Sequence, residues 1–302
     1  EKGGDRFRVL SYLTKAQSQC QNNGIVEMAW VDTALQAKLA LATGDLDYAE
    51  RLVEGTLRGI PPDSAPQLVD SIRAFGCWLK LYRNETEAMG QWLAQAPDET
   101  VEFCTLNRYL YMVKIYCYIA LGKHTDALVL LQRMLAYADY AQRTYFQMEC
   151  GVLSAIVLRR IGRPWKEDFL QLLGRIGEYH FVPILSEKGA AVLPLLTEVK
   201  SCFCAETPAQ REWFGQVLEE TEHMARLYPN YLKGTGIDVS AFSDTALEVL
   251  RLQAAGRSTN EIAQQLHISP RTVKYHASEN YRKLQAKNMV DAVQIARSLN
   301  IL

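Results

Sequence analysis

The feature that most constrains this chain is a turn glycine followed five residues later by an alanine, recurring at a nearly fixed spacing. The segment Ala34-Leu-Gln-Ala-Lys-Leu-Ala-Leu-Ala-Thr-Gly44-Asp-Leu-Asp-Tyr-Ala49 has a counterpart in Tyr111-Met-Val-Lys-Ile-Tyr-Cys-Tyr-Ile-Ala-Leu-Gly122-Lys-His-Thr-Asp-Ala127. The alanine recurs at Ala49, Ala88 and Ala127, 39 residues apart each time, and the turn glycine at Gly122 and Gly162, 40 apart. In the middle copy Arg83-Asn84 stands in place of the glycine, and Asn also tolerates the left-handed conformation that ends a helix. Each unit therefore reads as a helix, a tight turn and a second helix whose small residue lets the pair approach closely. A lone hairpin of this kind cannot bury its apolar face, so neighbours must stack into a curved solenoid.

Helical periodicity runs through nearly every segment between residues 5 and 228, with Gly and Pro between segments and few alternating strand patterns. The class is all-α. Over about residues 8–225 the array resembles tetratricopeptide repeats, although its period exceeds their usual ~34 residues. An irregular helical bundle in which Gly-x4-Ala recurs by chance is the competing reading. The resemblance implies a concave ligand or partner groove lined by Lys38, Tyr109, Met112 and Tyr116, residues that read equally well as core. Trp78, Trp92 and Trp165 read as packing residues rather than a ligand box.

With 302 residues, 48% of them apolar, the chain can bury two cores. The run Lys233-Gly234-Thr235-Gly236 reads as a linker, dividing residues 1–235, a sensor or interaction domain, from 236–302. Charge divides the same way. From residue 240 onward eight Lys/Arg face five acids, whereas residues 1–239 carry an excess of four acids, so the tail is the part suited to a polyanion.

That tail carries the sharpest motif. Ser243 is placed to cap a helix over Asp244–Ala255 that Gly256 stops, with Leu247, Leu250 and Leu252 as its apolar stripe. A short helix, 259–266, puts Ile262, Ala263 and Leu266 on one face. Ser269 caps a third helix beginning at Pro270, whose missing N–H costs nothing there, and running to about Leu284. Val273, Ala277, Tyr281 and Leu284 repeat at core spacing, leaving Arg271, Thr272, Lys274, Tyr275 and Ser278 outward on a basic, polar face suited to the major groove. His276 reads as a packing or capping residue.

The motifs Glu248-Val-Leu-Arg-Leu, Ala255-Gly256-x-Ser258, Glu261-Ile-Ala-x-x-Leu, Ile268-Ser269-x-x-Thr272-Val273-Lys274-x-His276 and Lys283-Leu284 resemble, in order and without gaps over 242–302, the LuxR-type (NarL/FixJ-type) helix-turn-helix domain. The resemblance implies a four-helix DNA-binding domain. Lys274, Tyr275 and Ser278, with Arg271 beside them, would contact bases or phosphates, and Thr272 and Lys283 the backbone. It also implies a last helix, about 288–300, that dimerises through Val293, Ala296 and Leu299. The opening Ser243-Asp244-Thr245-Ala246 lacks the family's usual Arg-Glu pair, and Ser278 stands where a Lys is common, so charge is missing from the expected interface.

Helical repeats followed by such a domain resemble the C-terminal part of MalT-like regulators. That implies a transcriptional activator working with RNA polymerase on double-stranded promoter DNA. It would self-associate there, and its repeats would receive an inducer or a regulatory protein. No cofactor is implied for this chain; ATP belongs to an upstream domain in that architecture, and the chain, beginning at Glu1, reads as a fragment. The competing function is an interaction scaffold whose last domain binds no DNA, distinguished by whether Lys274, Tyr275 and Ser278 are covered.

Other classes find no support. Gly122-Lys123 lacks both the first Gly and the following hydroxyl residue of a phosphate loop. The five histidines are scattered, so neither an enzyme nor a metal site is expected. The seven cysteines read as reduced core thiols, and Cys202-Phe-Cys204 is a tight pair without further ligands. No signal peptide or 18-residue apolar window is seen, so the reading is soluble and cytoplasmic, with no membrane partner.

Overall fold

Left-handed backbone occurs where the repeat requires it: Gly44 (φ 86°), Asn84 (φ 56°), Gly122 (φ 71°) and Gly162 (φ 66°). These are the turns of four helical hairpins in the computed structural model, which describes residues 11–13, 15, 16, 18, 19, 26–60, 65–100, 103–233, 242–284, 286–298 and 302. The hairpins are α1 (Val26–Ala42) with α2 (Leu46–Gly59), α3 (Pro66–Arg83) with α4 (Thr86–Leu93), α5 (Arg108–Ala120) with α6 (His124–Tyr140), and α7 (Thr144–Arg160) with α8 (Lys166–Glu178). Short α9 (Pro183–Ser186), then α10 (Gly189–Val199) and α11 (Pro208–Leu227) follow, and the described residues contain no strand.

Measured between left-handed residues, the repeats are 40, 38 and 40 residues apart, which corrects the alanine spacing. Ala49 and Ala127 are fully buried five residues past their turns. In the middle copy that place belongs to Met89, also fully buried, while Ala88 is only partly buried. Asn84 sits one residue later relative to its alanine than Gly44 or Gly122 does, and a one-residue step on a helix turns a side chain by about 100°.

One core runs from Trp30 to Leu232. Successive helices pack as the stacking argument requires, and the array also closes on itself. After α11 the chain turns back so that Tyr228 Oη donates to the Leu41 carbonyl (2.9 Å), Arg160 donates to the Leu232 carbonyl, and the Tyr231 ring stacks on Tyr82 at 4.3 Å. Tyr228, Tyr231 and Leu232 are buried. A segment that borders the expected linker is therefore core, and Gly234, Thr235 and Gly236 lie outside the described residues. Three of the cysteines, Cys77, Cys117 and Cys150, are core thiols as expected. Cys202 and Cys204 are exposed, because they fall in the turn between α10 and α11 rather than in a helix, and Cys104 is half-buried; Cys20 is outside the described residues. No described helix is long and apolar enough to cross a membrane.

The C-terminal unit has its own cores. Its helices are α12 (Asp244–Ala254), α13 (Thr259–Gln265), α14 (Pro270–Lys283) and α15 (Met289–Ser298). Val249, Leu252, Ile262, Ala263, Val273 and Ala277 join α12, α13 and α14, while Phe242, Leu250, Leu284, Ala292 and Ala296 join α12 and α14 to α15. Serine caps start three of the four helices: Ser243 accepts from the Ala246 N–H, Ser258 from Glu261 and Ser269 from Thr272. At Ser258 the Glu261 carboxylate also accepts from the Ser258 N–H at 2.7 Å, completing a capping box for a helix of only seven residues. Ser258→Ala is expected to destabilise this unit by ~1 kcal/mol, measured as a lower urea midpoint for its unfolding at unchanged slope.

Candidate nucleic-acid interface and concave cavity

The turn between α13 and α14 is tight because His267 takes φ 55° and Ser269 at once opens the next helix. Ile262 and Ala263 on one side, with Val273 and Ala277 on the other, hold the two helices through a shared apolar seam. This places the N-terminus of a 14-residue helix outward, where its dipole and the side chains of its first turns favour an anionic ligand. Arg271, Lys274, Tyr275 and Ser278 are all exposed, Tyr275 at 63%. They fall on one face by helical spacing, and Arg282, which the sequence reading missed, extends it one turn further. Arg282 is held by Glu279 at 2.9 Å, which spends part of its charge.

Thr272 and Lys283 lie about a quarter-turn round the helix from that face and are half-buried. The Thr272 hydroxyl bonds Ser269 Oγ at 2.8 Å within the cap, and the Lys283 ammonium stands 5.3 Å over the Phe242 ring. His276 is half-buried against Tyr275, with the rings 5.5 Å apart, and so is oriented by packing. Behind the face, buried Asn280 donates to the Ala246 carbonyl at 2.7 Å, and Gln253 donates to Tyr281 Oη at 2.9 Å. These two bonds lock α14 onto α12. A polar residue at a core-spaced position of α14 was the available signal for Asn280.

Residues 240–296 match the family model of bacterial regulatory proteins, luxR family. The C-terminal unit is a LuxR-family helix-turn-helix domain. Among curated relatives, the transcriptional regulatory protein DesR of Bacillus subtilis is 29% identical over 96 residues, covering 32% of this chain and 47% of that protein. The putative HTH-type transcriptional regulator YhjB of Escherichia coli is 42% identical over 64 residues, 21% of this chain and 30% of that protein. The uncharacterized transcriptional regulatory protein YvfU of Bacillus subtilis is 45% identical over 49 residues, 16% and 24% of the two chains. The chain thus spans less than half the length of these relatives. No solved structure matches it.

Within the LuxR-family domain the expected dimer residues need correction. Ala296 is fully buried in the domain's own core and so is unavailable to a partner, while Val293 is half-buried against that core; Leu299 lies outside the described residues. The face that α15 does expose carries Met289, Val290, Gln294 and Arg297. The inward choice follows from Ala292 and Ala296, four apart, which let α15 lie close on α12 and α14.

In the repeats, Lys38, Tyr109, Met112 and Tyr116 line one cavity of about 580 Å³ together with Trp30, Val31, Leu35, Phe75, Trp78, Tyr145, Phe146, Arg108, Glu149 and Glu187. Tyr109 and Lys38 are exposed, while Met112 and Tyr116 are buried, so these four border both the core and the cavity. Trp78 likewise packs on Phe75 and Tyr82 and lines the cavity; Trp92 and Trp165 are packing residues.

The acids of this site were missed. Glu149 Oε1 accepts from Tyr116 Oη at 2.8 Å and from the buried Lys188 ammonium at 3.0 Å, and Glu187 pairs with Lys38 at 3.2 Å. Burial by itself pushes the Glu149 carboxyl up, but the Lys188 charge and the hydrogen bonds from Tyr116 and Lys188 hold it below the usual carboxylate range. A lone carboxylate in the largely apolar helix segment Tyr145-Phe-Gln-Met-Glu149-Cys-Gly-Val-Leu153 was the readable sign. Among the described residues no group of three or more His, Cys, Asp or Glu is placed to hold a metal ion.

Proposed function

We propose that this chain regulates transcription: its LuxR-family domain binds promoter DNA through α14, and its helical repeats receive the inducer or regulatory protein that controls it. The observation that carries the DNA half is the uncovered face of Arg271, Lys274, Tyr275 and Ser278 at the start of a capped helix. A last domain that served by packing this face against the repeats would cover it. The similarity of this domain to proteins named as transcriptional regulators supports the same reading. For the sensor half the support is the concave cavity, which falls in the size range of small-molecule sites. The resemblance to MalT-like regulators favours activation, through contact with RNA polymerase, over repression.

The test is anisotropy of the full chain against a labelled promoter duplex, titrated from about 50 to about 200 mM salt. With at least the two phosphates that Arg271 and Lys274 can neutralise, affinity should fall by roughly tenfold or more across that range. Absent or salt-insensitive binding would overturn the reading.

A further inference from the structure

We infer that the concave cavity of the repeats takes an uncharged small molecule with an aromatic or otherwise ring-shaped body and a hydroxyl that donates to Glu149. This rests on the reading of the repeats as a receptor, and it specifies what they receive. Aromatic rings are prominent in the cavity lining, among them Trp30, Phe75, Trp78, Tyr109, Tyr116 and Phe146, with aliphatic side chains such as Leu35 and Met112 between them. Such a wall gains most from a flat apolar body.

Polar recognition comes from Glu149. Its Oε1 is occupied by Tyr116 and Lys188, and no described residue donates to Oε2, which leaves that oxygen as the open acceptor of a cavity-lining group. A carboxylate in this state accepts and cannot donate, so the ligand must bring the proton. Tyr116 and Lys188 fix the carboxylate in place before anything binds, which removes the ordering cost of the contact.

Charge selects against ionic ligands. Lys38 and Glu187 neutralise each other at 3.2 Å, and Glu149 is matched by Lys188 at 3.0 Å. The remaining lining charge, Arg108, is exposed and donates to the Thr105 carbonyl at 3.4 Å. A cationic ligand finds no uncompensated acid, and an anion placed to reach Glu149 would meet its open Oε2 at close range, with only the exposed, solvent-screened Arg108 to attract it.

The test is calorimetric titration of the full chain with four congeners sharing one body: naphthalen-2-ylmethanol, 2-methylnaphthalene, 2-naphthoate and naphthalen-2-ylmethylamine. The alcohol should bind at least about tenfold more tightly than each of the others. Glu149→Gln keeps an acceptor for Tyr116 and Lys188 but turns an amide N–H₂ toward the cavity. It should therefore raise the affinity for naphthoate by about tenfold or more, read well below a melting point that falls because buried Lys188 loses its counter-charge. If the amine or naphthoate binds best to the parent chain, the ligand class is overturned while the receptor reading stands. If none of the four binds, the ligand class is overturned, and the receptor reading is judged from promoter activity in cells, where the natural inducer is present, with Val31→Trp narrowing the cavity. An induction response unchanged in that variant overturns the receptor reading too.

Discussion

Reversing the charge of Lys274, as Lys274→Glu, is expected to weaken DNA binding by more than about 100-fold while leaving the fold intact. The side chain is exposed on the first turns of α14 and makes no ion pair or core contact with any described residue, so its removal costs the domain little. On the proposed reading, the same position would lie where recognition-helix side chains meet base edges or the flanking phosphates. Losing a base contact alone costs ~1–3 kcal/mol, and an acid there adds repulsion from the phosphates. Arg271 and Lys274 carry the face, because Arg282 is tied to Glu279 and Ser278 adds no charge; the domain has little reserve to offset the change. Arg211→Glu, an exposed residue of α11 with the same change in charge, is the matched control and should shift affinity by less than about threefold. Lys274→Ala should also flatten the salt dependence by about one unit of slope. Equal losses in both charge-reversal variants would mean that net charge, rather than this face, drives binding.

How much of this was legible depends on whether the deciding interactions are local. The LuxR-family domain is assembled from short-range chemistry: three serine caps, Pro270 at a first helical position, and core residues at helical spacing. Each is written within a few residues of where it acts, so helix positions and the exposed face could be read directly. The repeat was legible for the same reason, through its left-handed turns at Gly44, Asn84, Gly122 and Gly162. What could not be read are pairings across the repeat. Glu149 meets Lys188 from 39 residues away, and Tyr228 meets Leu41 from 187 away. Buried Lys114, in α5, pairs with Glu99 and donates to the Pro97 carbonyl at 2.8 Å, holding the connection after α4 against the core. No periodicity marks such contacts, since they depend on which hairpins face each other after stacking. Inward and outward sides of α15 were confused for a related reason: Val293 and Ala296 are apolar whichever partner they meet, and only the packing of the neighbouring helices decides.

Tyr231→Ala is expected to lower the stability of the repeats by ~3–5 kcal/mol, the usual cost of deleting a fully buried aromatic side chain. Tyr231 is 2% exposed and stacks on Tyr82, whose ring also meets Tyr228 edge-on at 4.8 Å. The phenol is fully enclosed beside Tyr82 and Trp78, so truncation opens a cavity there and removes a buried polar group's neighbour. The effect should reach beyond one contact. Tyr228, Tyr231 and Leu232 bridge α1, α3 and α7, joining hairpins that a linear stack would leave apart. Removing the bridge converts a closed array into an open one, and unfolding should become broader as well as earlier, because nearest-neighbour stacks lose cooperativity when long-range closure is lost. The LuxR-family domain has separate cores and should melt unchanged, which a fluorescence and circular-dichroism comparison of the two transitions would show. Tyr231→Phe separates packing from hydrogen bonding, since it keeps the stack on Tyr82 and should cost only ~1 kcal/mol. A Tyr231→Ala loss below about 1 kcal/mol would show that this segment does not close the array in solution. A full loss, with protease cutting appearing just past Leu232, would show that the chain leading into the DNA-binding domain is anchored by these rings.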